Sequence, residues 1–215
     1  MHETEAAAAF ESAFANAEAS QAAASVGRSY GYFFCMSGPN SALAYAAYAR
    51  TRKRKLERDD LVMIHCNSCV DGFWTDLTRT YTLREPDKNQ MAMRQAILVA
   101  RAAALNAIRP GVRAADVDKA AREVLVSRGF GAEFKHATGH GVGFSAANHN
   151  AVPRVHPKSE DVLSLGETFN IEPAIYFNDR YGMRHCDMAA VSAAGVETLT
   201  DFQIDSSDLF SSHRL

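Results

Sequence analysis

Two stretches of this chain can be laid on one another, and that internal repeat limits the fold more than any other feature. Asp60-Leu61-Val62-Met63-Ile64-His65 falls on Glu167-Thr168-Phe169-Asn170-Ile171-Glu172, and Trp74-Thr75-Asp76 falls on Arg184-His185-Cys186. Residues 61–65 read as a buried strand, and the aromatic and β-branched alternation over 73–83 reads as a second strand paired back on it. Residues 168–175 and 183–191 make the matching pair. Successive side chains on a strand point to opposite faces, so Asp76, Thr78 and Thr80 share one face, as do Asn170 and Glu172. Each half therefore offers two liganding side chains, His65 and Asp76 from the first, Glu172 and Cys186 from the second.

The two strand pairs are separated by helical periodicity. Asp87 is a plausible N-cap, with Met91, Ile97, Leu98, Leu105 and Ile108 on an apolar face and Arg109-Pro110-Gly111 as the stop. A second helix starts at Ala114, turns Val117, Ala121, Val124 and Leu125 inward, and ends at Gly129. The two form a helical hairpin. Upstream, the alanine-rich residues 3–25 predict a helix with Phe10, Phe14 and Ala17 as a modest stripe. Residues 30–36 predict a strand that runs into the turn Ser37-Gly38-Pro39-Asn40.

Between the helices and the second strand pair lies Lys135-His136-Ala137-Thr138-Gly139-His140-Gly141-Val142-Gly143. Two histidines four apart among three glycines suit a place where backbone closely approaches a ligand. The 215 residues are 47% hydrophobic and 22% charged with a net charge of -2, the balance of one soluble globular domain. Mixed charge gives no footprint for nucleic acid, and the basic run over 50–58 is followed at once by Asp59 and Asp60. No apolar stretch approaches the ~20 residues of a bilayer span, and the N-terminus lacks a basic region followed by an apolar core. A cytoplasmic location is the expectation. Cys35, Cys66, Cys69 and Cys186 are too few and scattered for a disulfide framework, and the two-residue spacing of Cys66 and Cys69 is read as chance.

Taken together, these residues resemble the pita-bread-fold enzymes that include methionine aminopeptidase, aminopeptidase P, prolidase and creatinase. The resemblance runs from about Ser37 to Thr200. Thr138 to Gly143 matches the family's ligand-histidine loop, and Phe169-Asn170-Ile171-Glu172-Pro173-Ala174-Ile175-Tyr176 its first glutamate strand. Asp76-Leu77-Thr78-Arg79-Thr80 matches the second aspartate, and Gly182-Met183-Arg184 the approach to the last ligand. The resemblance implies an α+β pita-bread fold: a six-stranded, strongly curved antiparallel sheet in pseudo-twofold halves with helices on its outer face. Residues 1–30 are expected as an N-terminal helical segment, 31–205 as the catalytic domain and 206–215 as a C-terminal tail. About thirty residues precede the matched region, too few for the N-terminal domain that many relatives carry.

Members of this family bind two divalent metals through two aspartates, one histidine and two glutamates. The implied ligand set here is His65, Asp76, His140, Glu172 and Cys186, with His65 standing at the first aspartate and Cys186 at the last glutamate. A third departure is Tyr45 in place of the histidine that follows the Ser-Gly-Pro-Asn turn. His149 is the nearest match to the other site histidine, with two extra residues between it and the loop. Imidazole and thiolate shift preference towards zinc or ferrous iron over manganese or cobalt, in a site of one or two ions, or none as in creatinase. Cys186 and His65 each have a competing role as buried core residues, whereas a carboxylate inside the apolar run around Glu172 needs a metal, a cation or a raised pKa.

The implied activity is hydrolysis of an amide in a small peptide, an X-Pro dipeptide or a peptide N-terminus, by metal-activated water. Glu172 or His149 would handle the proton, His136 or Tyr45 the oxyanion, and Arg184 would pair with a liganding carboxylate. A creatinase- or ectoine-hydrolase-like C–N hydrolase with His140 as base is the alternative, and a non-catalytic binding module the third. The expected partners are a small peptide or amide substrate and a second copy in a homodimer.

Overall fold

The computed structural model describes residues 1–21, 29–46, 50–144, 148–200 and 202, the side chains of 17–21 excepted. Strand β2 (Leu61–Val70) is the spine of the first half, longer than its apolar start suggests because aromatic β1 (Ser29–Ser37) covers it along its whole length. On its other edge β2 pairs with β3 (Phe73–Trp74) and β4 (Leu77–Thr82), which are one strand interrupted at Thr75-Asp76. The register is the same on both sides of that break, with Cys69 opposite Trp74 and Cys66 opposite Leu77. In the second half the interruption falls on both strands. β5 (Thr168–Ile171) and β6 (Ala174–Phe177) are separated by Glu172-Pro173, and β7 (Tyr181–Arg184) and β8 (Asp187–Ser192) by His185-Cys186. Proline removes a ladder donor and so belongs at such a break.

The halves join edge to edge. β4 meets the β7–β8 strand through an antiparallel bridge between Thr78 and Cys186, and the Thr80 hydroxyl both donates to the Arg184 carbonyl and accepts from its N–H. β9 (Gly195–Thr198) pairs with the far end of β8. The result is the curved antiparallel sheet in two halves. The internal match is offset, however: Glu172 and Cys186 lie in continuous register directly opposite each other, whereas His65 is opposite Thr78 rather than Asp76.

Helices α2 (Lys88–Ala107) and α3 (Ala114–Ser127) pack together on the sheet. Asp87 caps α2 in a reciprocal capping box with Gln90, and Gly129 takes the left-handed conformation beyond α3 at φ 82°. The apolar face of α2 differs from the expected one. Met91 is 51% exposed and Leu98 half-buried, while Met93, Ala96, Ala100 and Ala104 are fully buried beside Ile97 and Leu105. Alanines let the helix backbone sit close to its neighbours, so the buried stripe follows small residues rather than the largest ones. α1 (Glu3–Gln21) likewise buries Ala6 and leaves Phe10 exposed, with Phe14 against Phe33; residues 22–25 and the side chain of Ala17 lie outside the described residues. Its first residue fastens it. The buried Glu3 carboxylate accepts from the Ser37 N–H and hydroxyl, the Asn40 amide and the Arg52 N–H. The turn after β1 is a 3-10 helix (Gly38–Leu43), and the expected tail, 206–215, lies outside the described residues.

Candidate metal centre

The seam between the halves opens on a cavity of about 550 Å³. Its lining includes Tyr45, His65, Asp76, His136, His140, His149, Glu172 and Arg184, with Phe34, Met36 and Ala44 as an apolar wall. Cys186 lies behind it, fully buried. The ligand positions Asp76, Glu172 and Cys186 all fall at strand interruptions, where the side chain is freed from the regular pleat, while His65 sits within β2.

His140 is placed by backbone that nothing but glycine could supply. A Cβ on Gly139 would lie 1.9 Å from the Asn170 carbonyl oxygen, and one on Gly141 would lie 2.0 Å from that of Val152. The loop docks on β5 through a bridge between Gly141 and Phe169, and the His140 N–H donates to the Asn170 side chain at 2.7 Å. Helix α3 holds its other end. Buried Asp118 accepts from the Thr138 N–H and hydroxyl and pairs with Arg122, which donates to the carbonyls of Phe134 and His136.

The hydrogen bonds fix three imidazoles. His140 Nδ1 faces the Gly141 carbonyl at 3.1 Å, and a carbonyl only accepts, so Nδ1 carries the proton and Nε2 keeps its lone pair. That lone pair faces Asp76 Oδ2 at 3.7 Å and Glu172 Oε1 at 3.8 Å, with the Asn170 amide donating to both Asp76 and Nε2. His136 Nδ1 donates to the Ala137 carbonyl, so its Nε2 accepts from the Tyr176 hydroxyl at 3.0 Å. Both nitrogens are engaged, which leaves His136 no N–H for an oxyanion. His65 Nδ1 lies 2.9 Å from an Arg184 nitrogen and 2.8 Å from the Thr78 hydroxyl. A guanidinium only donates, so the His65 lone pair is turned to Arg184.

Burial sets the charge states. It pushes Glu172 up to about 7, with Asp76 adding to the rise against the pull of Arg184. It pushes His65 down to about 4 and His136 to about 3, keeping both neutral. Burial also drives the Cys186 thiol well up, and its S–H points at Asp76 Oδ1, 3.4 Å away. Burial opposes charge on Asp76 too, but the pull of His65, cationic only below about 4, and of the Arg184 guanidinium outweighs it and the carboxyl is held low.

Two groups of donors converge. Ligand atoms of His140, His149 and Glu172 lie within 4.8 Å of one another, as do those of Asp76, Glu172 and Cys186. Unprotonated Nε2 and two carboxylates facing one another with a single amide between them is an arrangement that a divalent cation fits. His65 stands outside both groups. Arg184 Nη1 lies 3.5 Å from Glu172 Oε2, His149 stacks edge-on against His140 at 4.9 Å, and Tyr45 packs on Tyr176 at 5.5 Å. Asp118, Arg122 and Tyr176 were not among the expected residues. An acid and a base four apart on a helix carry the pattern of a solvated pair, and nothing local marks that Asp118 is buried.

Carboxylates and an imidazole thus meet at the seam of a curved sheet in two halves. The chain belongs to metallopeptidase family M24, whose model matches residues 1–193. Among curated relatives, a probable dipeptidase PepE from Mycobacterium tuberculosis is 36% identical over 166 residues, covering 77% of this chain and 43% of the relative. An Xaa-Pro dipeptidase from Pyrococcus furiosus is 33% identical over 164 residues, covering 76% and 45%. The crystal structure of dipeptidase PepE from Mycobacterium ulcerans matches with TM-score 0.82 and 32% identity over 94% of this chain and 51% of that one. The prolidase from Pyrococcus furiosus matches with TM-score 0.82 and 28% identity over 95% and 57%. The chain thus spans less than half the length of the curated relatives named here.

Proposed function

We propose that this protein is a metal-dependent hydrolase that cleaves a small peptide of the X-Pro type. The observation that carries the reading is the unprotonated His140 Nε2 facing the Asp76 and Glu172 carboxylates at the floor of the cavity. His140, Glu172 and Asp76 would hold the ion, with a second imidazole, His149, converging on His140 and Glu172 and favouring zinc or ferrous iron over manganese or cobalt. When bound, the ion supplies Lewis acidity and a water that ionises near neutral pH.

The chain's own groups do the rest. Phe34, Met36 and Ala44 form an apolar wall that suits a proline ring. His149, exposed at the rim beside His140, takes and returns the proton, since it alone of the site imidazoles faces solvent. Arg184 steadies Glu172, and Tyr45 is the hydroxyl left to meet the oxyanion once His136 is committed to Tyr176. We assign this chemistry to residues 31–205, with α1 fastened to them through Glu3. The four free cysteines support a cytoplasmic location, and a homodimer is the assembly we propose.

The test is hydrolysis of X-Pro dipeptides by protein loaded in turn with zinc, ferrous iron and manganese. Activity that needs metal and vanishes with a chelator is the expected result. Activity that survives chelation yet is lost in His140→Ala would assign the site to the metal-free C–N hydrolases instead.

A further inference from the structure

We infer that the site holds one divalent ion rather than two, because His65 and Cys186 leave it without the donors and the negative charge that a second would need. The inference rests on the metal-dependent reading above. Arg184 comes from β7 into the seam, where it is 6% exposed. Its Nε donates to the Thr78 hydroxyl at 3.1 Å, one terminal nitrogen to His65 Nδ1 at 2.9 Å, and the other lies 3.5 Å from Glu172 Oε2. The Thr78 hydroxyl, having accepted from Arg184, turns its own hydrogen to His65 Nδ1. His65 therefore spends on an internal cation the lone pair that a metal would need, and it belongs to neither cluster of converging donors.

The charges lead to the same count. Among Asp76, Glu172 and Arg184, two carboxylates and one guanidinium leave one net negative charge in a buried space. One divalent ion with a bound hydroxide brings that to neutrality. A second ion would leave two positive charges buried, and one even if Cys186 were a thiolate; uncompensated charge out of water is strongly unfavourable. Cys186 converges with Asp76 and Glu172, but it offers a thiol, its S–H turned to Asp76, where the family pattern has a carboxylate. Relative to the five-ligand family pattern, His65 and Cys186 thus remove two carboxylates, and Arg184 is left with no second ion to compete with.

The experiment is to saturate the purified chain with zinc and count bound ions by elemental analysis, and to load it with manganese and record its electron paramagnetic resonance. One zinc per chain and an uncoupled manganese signal are expected. The double variant H65D/C186E is expected to take up two ions and to show exchange-coupled manganese. Two ions or a coupled signal in the unaltered chain would overturn the inference while leaving the hydrolase reading in place. A folded double variant that still holds one ion would also overturn it, and no ion at any loading would overturn both.

Discussion

The two halves of the sheet begin from the same sequence pattern and end as different devices. In the second hairpin both strands are broken at the same level, so Glu172 and Cys186 face each other directly and leave the pleat together. In the first only one strand breaks. Asp76 is freed there, but its cross-strand neighbour is Asn67, and His65 stays within regular β2 opposite Thr78. The braces differ too. Behind Cys186, buried Asp187 pairs with Arg79, Arg101 and His185, and Arg79 also donates to the Cys186 carbonyl. The first hairpin is braced at its break by neutral hydrogen bonds, Ser68 with Thr75 and Asn67 with the Thr75 carbonyl. A double break supported by ions positions two groups at once, and a single break supported by neutral bonds positions one.

The sharpest way to break this comparison is at the paired break itself. Glu172→Ala should lower kcat/KM on X-Pro dipeptides by on the order of 10³, the scale of several kcal/mol that a metal centre contributes to the transition state. A steady-state loss under tenfold would mean that the second hairpin does not carry the site. Next in size is the ionic brace. Asp187→Ala leaves Arg79 buried and unpaired and should destabilise the fold by about 3–5 kcal/mol in urea unfolding, whereas Ser68→Ala, at a half-buried neutral bond, should cost about 1 kcal/mol.

Glu172 also makes the metal-free protein sensitive to pH. Its pKa is raised to about 7 in the folded chain, while the unfolded carboxyl sits near 4.5. The folded state therefore keeps a proton that the unfolded state loses. The contribution of Glu172 to stability is fully present below pH 4.5 and is lost as pH rises through 7, by a few kcal/mol, whereas His65 and His136, held low by burial, act in the opposite sense below 6.5. Thermal unfolding of the metal-free chain and of Glu172→Gln from pH 4.5 to 8 isolates the carboxyl: the parent should lose stability relative to the variant as pH rises towards 7, and a difference that does not change with pH would refute it. The smallest effect belongs to the single break. Asn67→Ala removes a neutral bond to Thr75 and should change kcat/KM by about tenfold or less, as outer-shell changes at metal sites do at the low end.

The same contrast accounts for what was legible in the sequence. The strands, the Asp87 cap, the stop at Gly129 and the convergence of Asp76, His140 and Glu172 follow from periodicity and short motifs, because each is fixed by residues close in the chain or by a matched pattern. The partnership of His65 with Arg184 spans 119 positions and depends on which donor reaches a lone pair, which no local pattern encodes. The register offset between the halves was hidden for a related reason. Laying one strand pair on the other aligns residue types, while cross-strand pairing is set by the length of each turn, with Asp71-Gly72 closing the first hairpin and residues 178–180 the second. The buried face of α2 was misread because alanines carry little hydrophobic signal yet mark where two helices approach closely.

The hold that α3 keeps on the glycine loop has a consequence for how the chain tolerates substitution. Thr138 satisfies one oxygen of Asp118, and Arg122 spans from that carboxylate to the carbonyl of His136, two residues before the loop. The side chains at 118, 122 and 138 are therefore coupled, and a change at one is felt at the others. Loss of the carboxylate at 118 would strand the buried Thr138 hydroxyl and leave Arg122 with only two carbonyls and the Phe134 ring, so that a change in the helix also loosens the loop.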